Sequence, residues 1–265
     1  MPGMPVLGDQ PVRFIHVPKT GGENFQKLIT GSGALKNHST ATDQQFDGRQ
    51  PRPFVVTIVR NPYDRVWSWF KFCIHGDRRQ LPGPERFCEP ALDAFLAAAD
   101  RLGNRTAGWS DAALLHSWQQ ALRQWTASVE GFMRRPVGRR AASRIDQSDV
   151  ARLSMVDFLV HRPSGHFAAD FVLRFERYEN DLAGLFACFG PPWDTLNASR
   201  THEHSSSGDA TRTMQPAAGR LGELYSHLSS LERRRVFTSA TRDWVHRWFG
   251  ADFDFFGYAR EEAEA

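Results

Sequence analysis

Two stretches constrain the fold more than anything else in the chain. In each, an apolar run of strand length gives way at once to a helix start. "VRFIHV", residues 12–17, passes through Pro18, Lys19, Thr20, Gly21 and Gly22 into "ENFQKLI". "PFVVTIVR", residues 53–60, passes through Asn61 and Pro62 into Tyr63, Val66, Trp67, Phe70 and Ile74 at helical spacing. Runs that are apolar on both faces belong to parallel strands covered on both sides. Asn is a good N-cap and Pro suits the first helical position, so the second helix has a defined start. Strand followed by helix, twice, predicts an α/β fold with a mostly parallel central sheet flanked by helices. A hydrophobic content of 41% over 265 residues is enough to fill such a core.

The remaining pattern extends this plan. Residues 76–90 form a loop rich in Pro, Gly and Arg, followed by helical patterns at about 91–102 and 111–134 and by a basic connector, "RRPVGRRAASR", expected to be mobile. "MVDFLVH" and "FVLRFE" are expected to be strands, and "YENDLAGLFACFG" a helix ending at Gly190. A polar loop precedes a last helical stretch from about 219 to 249. The expectation is one domain, residues 1–265, with a mainly helical insertion at about 76–145.

A loop joining a parallel strand to the next helix lies at the carboxyl edge of the sheet, where α/β proteins bind ligands. The backbone N–H groups of Thr20, Gly21 and Gly22 can converge there on an anion at the positive end of the helix dipole. Lys19 adds a full charge. The nucleotide-kinase pattern G-x-x-x-x-G-K-[ST] cannot be laid over these residues, and an ordinary Gly-containing turn is the competing reading. Arg60 ends the second strand at the same edge, with Ser68 about two helical turns further on, and the two make a second anion-binding pair. The competing reading there is an Arg60–Asp64 surface pair with Ser68 merely solvated.

"FIHVPKTGG" followed by "VVTIVRNPYDRVWSWF" closely resembles the sulfotransferases that use 3′-phosphoadenosine 5′-phosphosulfate (PAPS), in particular the Golgi type acting on carbohydrates and its soluble microbial relatives. The resemblance continues through "FVLRFERYENDLAGLFACFG", "LNASR" and the closing "ADFDFFGY". It implies a P-loop-like sulfotransferase fold. The first motif then corresponds to the 5′-phosphosulfate loop, with Lys19, Thr20, Gly21, Gly22 and Asn24 at the donor. The second corresponds to the 3′-phosphate site, formed by Arg60 and Ser68. The family usually has Thr-Ser after the two glycines, and this chain has Glu23-Asn24. Either Glu23 turns away and Asn24 joins the amides at the donor, or donor affinity is reduced. Lys19 is the implied stabiliser of the leaving phosphate. His38 in "KNHSTATDQQF" is the implied general base, with Asp43 and Glu23 in reserve. The implied reaction moves the sulfuryl group to an acceptor hydroxyl, foremost on a carbohydrate. The alternatives are a small alcohol, a phenol or a protein tyrosine as acceptor, and a non-catalytic nucleotide- or glycan-binding relative.

Composition removes other classes. Lys19, Lys27, Lys36 and Lys71 are the only lysines among 33 basic residues, and arginine's planar fork suits phosphate and sulfate. The basic residues are dispersed and no nucleic-acid module pattern occurs, so no nucleic-acid partner is expected. Cys73, Cys88 and Cys188 match no zinc spacing, and His202 and His204 lack a third ligand, so no metal is expected. The thiols are expected to be free and buried, with a Cys73–Cys88 bridge open only in an oxidising compartment. No apolar run reaches bilayer length and no signal-peptide layout opens the chain. It reads as soluble or cytoplasmic, with a Golgi-lumen catalytic domain cut from its anchor as the alternative. Trp67, Trp69, Trp109, Trp118 and Trp125 are either sugar-stacking faces or core.

Overall fold

A computed structural model describes residues 6–7, 10–22, 25, 40–41, 44, 53–75, 93, 97, 110–134, 139–140, 144–145, 152–189 and 231–261. The chain divides into two compact units, one comprising residues 1–61 and 137–203, the other residues 62–136 and 204–265.

The first unit holds the sheet. Its strands are β1 (Val6–Leu7), β2 (Gln10–Ile15), β3 (Phe54–Val59) and β8 (Phe171–Arg174), in the order β1-β2-β3-β8. β1 pairs antiparallel with β2, whereas β2, β3 and β8 run parallel, with Ile15 beside Thr57 and Val59 beside Arg174. The three parallel strands therefore end on one edge. The mixed α/β architecture with a parallel sheet flanked by helices is the one expected from the two strand-to-helix stretches. Every residue of β3 from Val55 to Val59 is buried, as its uninterrupted apolar sequence requires. One face packs Val12, Val56, Ile58 and Leu173 against Leu182, Leu185 and Phe186 of helix α4 (Tyr178–Phe189). Burial of side chains of this size contributes roughly 1.5–3 kcal/mol each. Asp170 fastens the start of β3 to that of β8: its carboxylate accepts from the Val55 N–H at 2.8 Å, and its own N–H donates to the Val55 carbonyl at 2.8 Å.

Several sequence expectations for this unit are corrected. "MVDFLVH" is not one strand. Met155–Leu159 form a short helix, α3, and only Val160–His161 are extended, as β6, paired with β7 (His166–Phe167). The reason is a capping box. The Ser154 side chain accepts from the Asp157 N–H at 3.0 Å and the Asp157 carboxylate accepts from the Ser154 N–H at 3.1 Å, which outweighs the β-preference of the apolar run. "FVLRFE" is extended only as far as Arg174, and Phe175–Arg177 form a single 3₁₀ turn. Within the basic connector expected to be mobile, β4 (Arg139–Arg140) and β5 (Arg144–Ile145) pair as an antiparallel ribbon. Cys188 is exposed, not buried as expected, while Cys73 is a buried free thiol in the second unit.

The second unit is helical among the described residues. α1 (Pro62–His75), α2 (Asp111–Met133), α5 (Arg233–Val236) and α6 (Ser239–Phe256) pack around an aromatic core. Trp125 is fully buried, with ring centroids of Trp69 at 5.0 Å, Phe70 at 5.3 Å and Trp244 at 6.2 Å. Ser110 caps α2 by accepting from the Ala113 N–H at 3.2 Å, and Gly257 ends α6 at φ 64°, a left-handed conformation that glycine adopts without steric cost. The last helical stretch, expected as one piece from 219 to 249, is broken at Phe237–Thr238 and runs on to Phe256. Asp93 and Ala97 are helical, in keeping with the pattern at 91–102.

Candidate functional site

Lys19, Thr20, Gly21 and Gly22 follow β2 after His16, Val17 and Pro18, Arg60 follows β3, and Phe175 and Glu176 follow β8, so all of them lie at the carboxyl edge of one parallel sheet. The loop has an unusual backbone. Lys19 is the one non-glycine residue with positive φ among those described, at 66°, and Gly21 has φ 84°. The left-handed region costs a side-chain-bearing residue about 1–2 kcal/mol, and such strain persists where the surroundings over-determine the conformation. Gly22 and Phe25 have helical conformation.

The two glycines are required by what lies beneath them. A Cβ on Gly21 would overlap the Phe175 ring, and one on Gly22 would overlap the His16 and Phe14 rings, which stack with centroids 5.6 Å apart. Thr20 is fully buried and its hydroxyl donates to the Val17 carbonyl at 2.8 Å, so its side chain is engaged within the loop itself. Arg60 is tied to the same loop. Its Nη1 donates to the Lys19 carbonyl at 3.4 Å, its guanidinium lies 4.2 Å from the centroid of the Phe175 ring, and its N–H donates to Met155 Sδ at 3.4 Å. Next to it, the Asn61 N–H donates to the Glu176 carboxylate at 2.5 Å.

Lys19, Thr20, Gly21, Gly22 and Arg60 are thus assembled at one edge. Ser68 is half-buried on α1 in the second unit. Asp64, the alternative partner for Arg60, pairs with Arg233 at 2.7 Å. Asn24, Glu23, His38, Asp43, Cys88, Trp109, His202 and His204 lie outside the described residues. His16, Met155, Phe175 and Glu176 escaped the sequence reading. "FVLRFE" was legible as a strand, but nothing in it shows that the chain would turn at Phe175 and set that ring under the glycine loop.

A family model described as "Sulfotransferase family" matches residues 4–259. The chain belongs to the sulfotransferase family. It is therefore an enzyme that transfers a sulfuryl group, and such a reaction implies an acceptor bearing a hydroxyl. No curated protein and no solved structure matches it. Two landmarks of the sulfotransferase are joined inside the second unit: Arg65, from the stretch after β3, and Asp252, from "ADFDFFGY", form an ion pair at 3.8 Å with side chains 5% and 0% exposed. These parts of the motifs therefore meet inside the helical unit. The tryptophans behave alike. Trp67, Trp69, Trp118 and Trp125 are buried, so they belong to the core and present no sugar-stacking face. Among the described residues, no helix is long and apolar enough to cross a membrane.

Proposed function

We propose that this sulfotransferase takes its sulfuryl group from PAPS and delivers it to a hydroxyl, foremost on a carbohydrate, by in-line displacement. The observation that carries this reading is the joining of the two anion motifs at one sheet edge, where the guanidinium of Arg60 donates to the carbonyl of Lys19. The donor supplies an activated sulfuryl group on a phosphate. The residues of the loop fit such a group chemically: they offer the Lys19 ammonium and a glycine pair, Gly21 at positive φ, through which the backbone can approach an anion.

In this reading the amides of Thr20, Gly21 and Gly22, with Asn24, hold the 5′-phosphosulfate. Arg60, together with Ser68 eight positions later, holds the 3′-phosphate. As the acceptor oxygen bonds to sulfur and the bond from sulfur to the bridging phosphate oxygen breaks, negative charge grows on that phosphate. Lys19 stabilises it. His38 takes the proton of the acceptor hydroxyl. The whole chain then acts as one catalytic domain, its helical part at about 76–145 being an insertion. The carbohydrate preference draws on the motif resemblance and on arginine-rich segments such as Arg139–Arg140.

Titration with adenosine 3′,5′-bisphosphate and transfer of labelled sulfate to a panel of glycans, phenols and tyrosyl peptides test the reading. Arg60→Ala is expected to weaken the bisphosphate about 10–100-fold, as loss of a charge-assisted anion contact does. His38→Ala is expected to reduce turnover about 100-fold with the bisphosphate still bound. Unchanged turnover in His38→Ala removes that residue as the base, and binding without transfer to any acceptor makes the protein a non-catalytic relative.

A further inference from the structure

The 3₁₀ turn after β8 connects the loop to Arg60, although neither anion motif includes it. Gly21 lies against the Cδ2 and Cε2 atoms of Phe175, the Arg60 guanidinium lies over the face of the same ring at 4.2 Å, and Arg60 returns to the loop through the Lys19 carbonyl at 3.4 Å. Glu176, the next residue, accepts from the Asn61 N–H at 2.5 Å and so fixes the turn against the segment that carries Arg60. The contact circuit Gly21–Phe175–Arg60–Lys19 encloses the stretch where Lys19 is held at φ 66°.

We infer that Phe175 is a positioning residue for donor binding, a wedge whose edge seats the glycine loop and whose face orients the Arg60 guanidinium. The inference rests on the reading of that loop as the donor site. Phe175 is only partly buried and sits at the margin of the core cluster, so the sheet unit has other residues to supply its packing. The ring touches both halves of the donor grip, Gly21 at its edge and Arg60 on its face. A flat, polarisable face attracts a guanidinium without neutralising it, as a carboxylate there would. A residue in this position controls two anion contacts at once, and its loss acts on affinity more than on chemistry.

The full-length protein with Phe175→Ala and Phe175→Tyr is compared with wild type by titration with adenosine 3′,5′-bisphosphate, by donor kinetics and by hydrogen exchange of the unliganded chain. Phe175→Ala is expected to raise the dissociation constant about tenfold, to raise the donor KM more than it lowers kcat, and to speed exchange at residues 17–22 while α4 exchanges as in wild type. Phe175→Tyr, which keeps the ring, is expected to stay within about twofold of wild type. If Phe175→Ala does not fold, Phe175→Leu carries the same readings, since it keeps apolar volume but loses the ring face. Bisphosphate affinity unchanged in the ring-less variant, or exchange rising equally through α4, overturns the inference. Failure of wild type to bind the bisphosphate overturns the donor reading instead, and the exchange measurement still decides whether Phe175 holds the loop.

Discussion

Both units set arginines against aromatic rings, and Arg233 and Arg60 differ in their other partners. Arg233 in the helical unit lies 5.1 Å from the centroid of Tyr63 and is gripped by carboxylates, Asp64 at 2.7 Å and Glu261 at 2.6 Å. Tyr63 adds a hydrogen bond with His246 Nε2 and accepts from the Glu261 N–H at 3.1 Å. Arg60 in the sheet unit lies over Phe175 and donates to a peptide carbonyl. Two carboxylates hold Arg233 by charge, whereas the ring and the carbonyl hold Arg60 by orientation.

The sharpest way to break this comparison is to remove charges from each side. Asp252→Ala removes the buried carboxylate that Arg65 meets in the helical core and is expected to cost about 3–5 kcal/mol of unfolding free energy, measured by denaturant titration. Loss of under 1 kcal/mol would mean that the ion pair is not what the helices depend on. In the sheet unit, Lys19→Gly is expected to leave the fold as stable as wild type or about 1 kcal/mol more stable, because glycine accepts φ 66°, while sulfuryl transfer falls about 100-fold. A stable Lys19→Gly enzyme with normal turnover would show that the ammonium is not part of the chemistry. Gly21→Ala combines the strain of φ 84° with overlap on Phe175, so it is expected to destabilise by about 1–3 kcal/mol and to weaken the bisphosphate as well.

The smallest effect concerns pH. Burial, followed by the charge of Arg260, holds the His246 pKa below its ordinary value, with Asp243 and Glu261 opposing. The unfolded chain therefore binds a proton more readily than the folded one. Stability is full above the ordinary histidine range and declines as pH falls through it towards the lowered folded value. His246→Gln is expected to flatten that decline in thermal melts between pH 7 and pH 5. An unchanged slope would place the acid sensitivity elsewhere.

The parallel strands β2, β3 and β8 and the helices α1, α2 and α4 were legible because apolar runs and helical periodicity reflect burial directly. The placement of Lys19, Gly21, Gly22 and Arg60 at one sheet edge was legible because both segments follow strands that read as parallel. Met155–Leu159 misled because local capping by Ser154 and Asp157 outweighed an apolar strand-like run. His16 and Phe175 were not legible as loop supports because their role comes from the stacking of β2, β3 and β8, a relation between residues far apart in the chain. The tryptophans could not be divided between core and sugar platform until their burial was known.

The sheet's connectivity also fixes an order of assembly on the ribosome. Asp170 and Val55, bonded to each other across β8 and β3, are 115 positions apart, so at about 5–20 residues per second the strand that completes the parallel sheet emerges several seconds or more after its neighbour. Until then the nascent chain carries the glycine loop and Arg60 without the ring that seats both. Truncation before residue 171 would consequently yield a fragment that contains both strand-to-helix stretches and still lacks Phe175, the ring that Gly21 and Arg60 both meet.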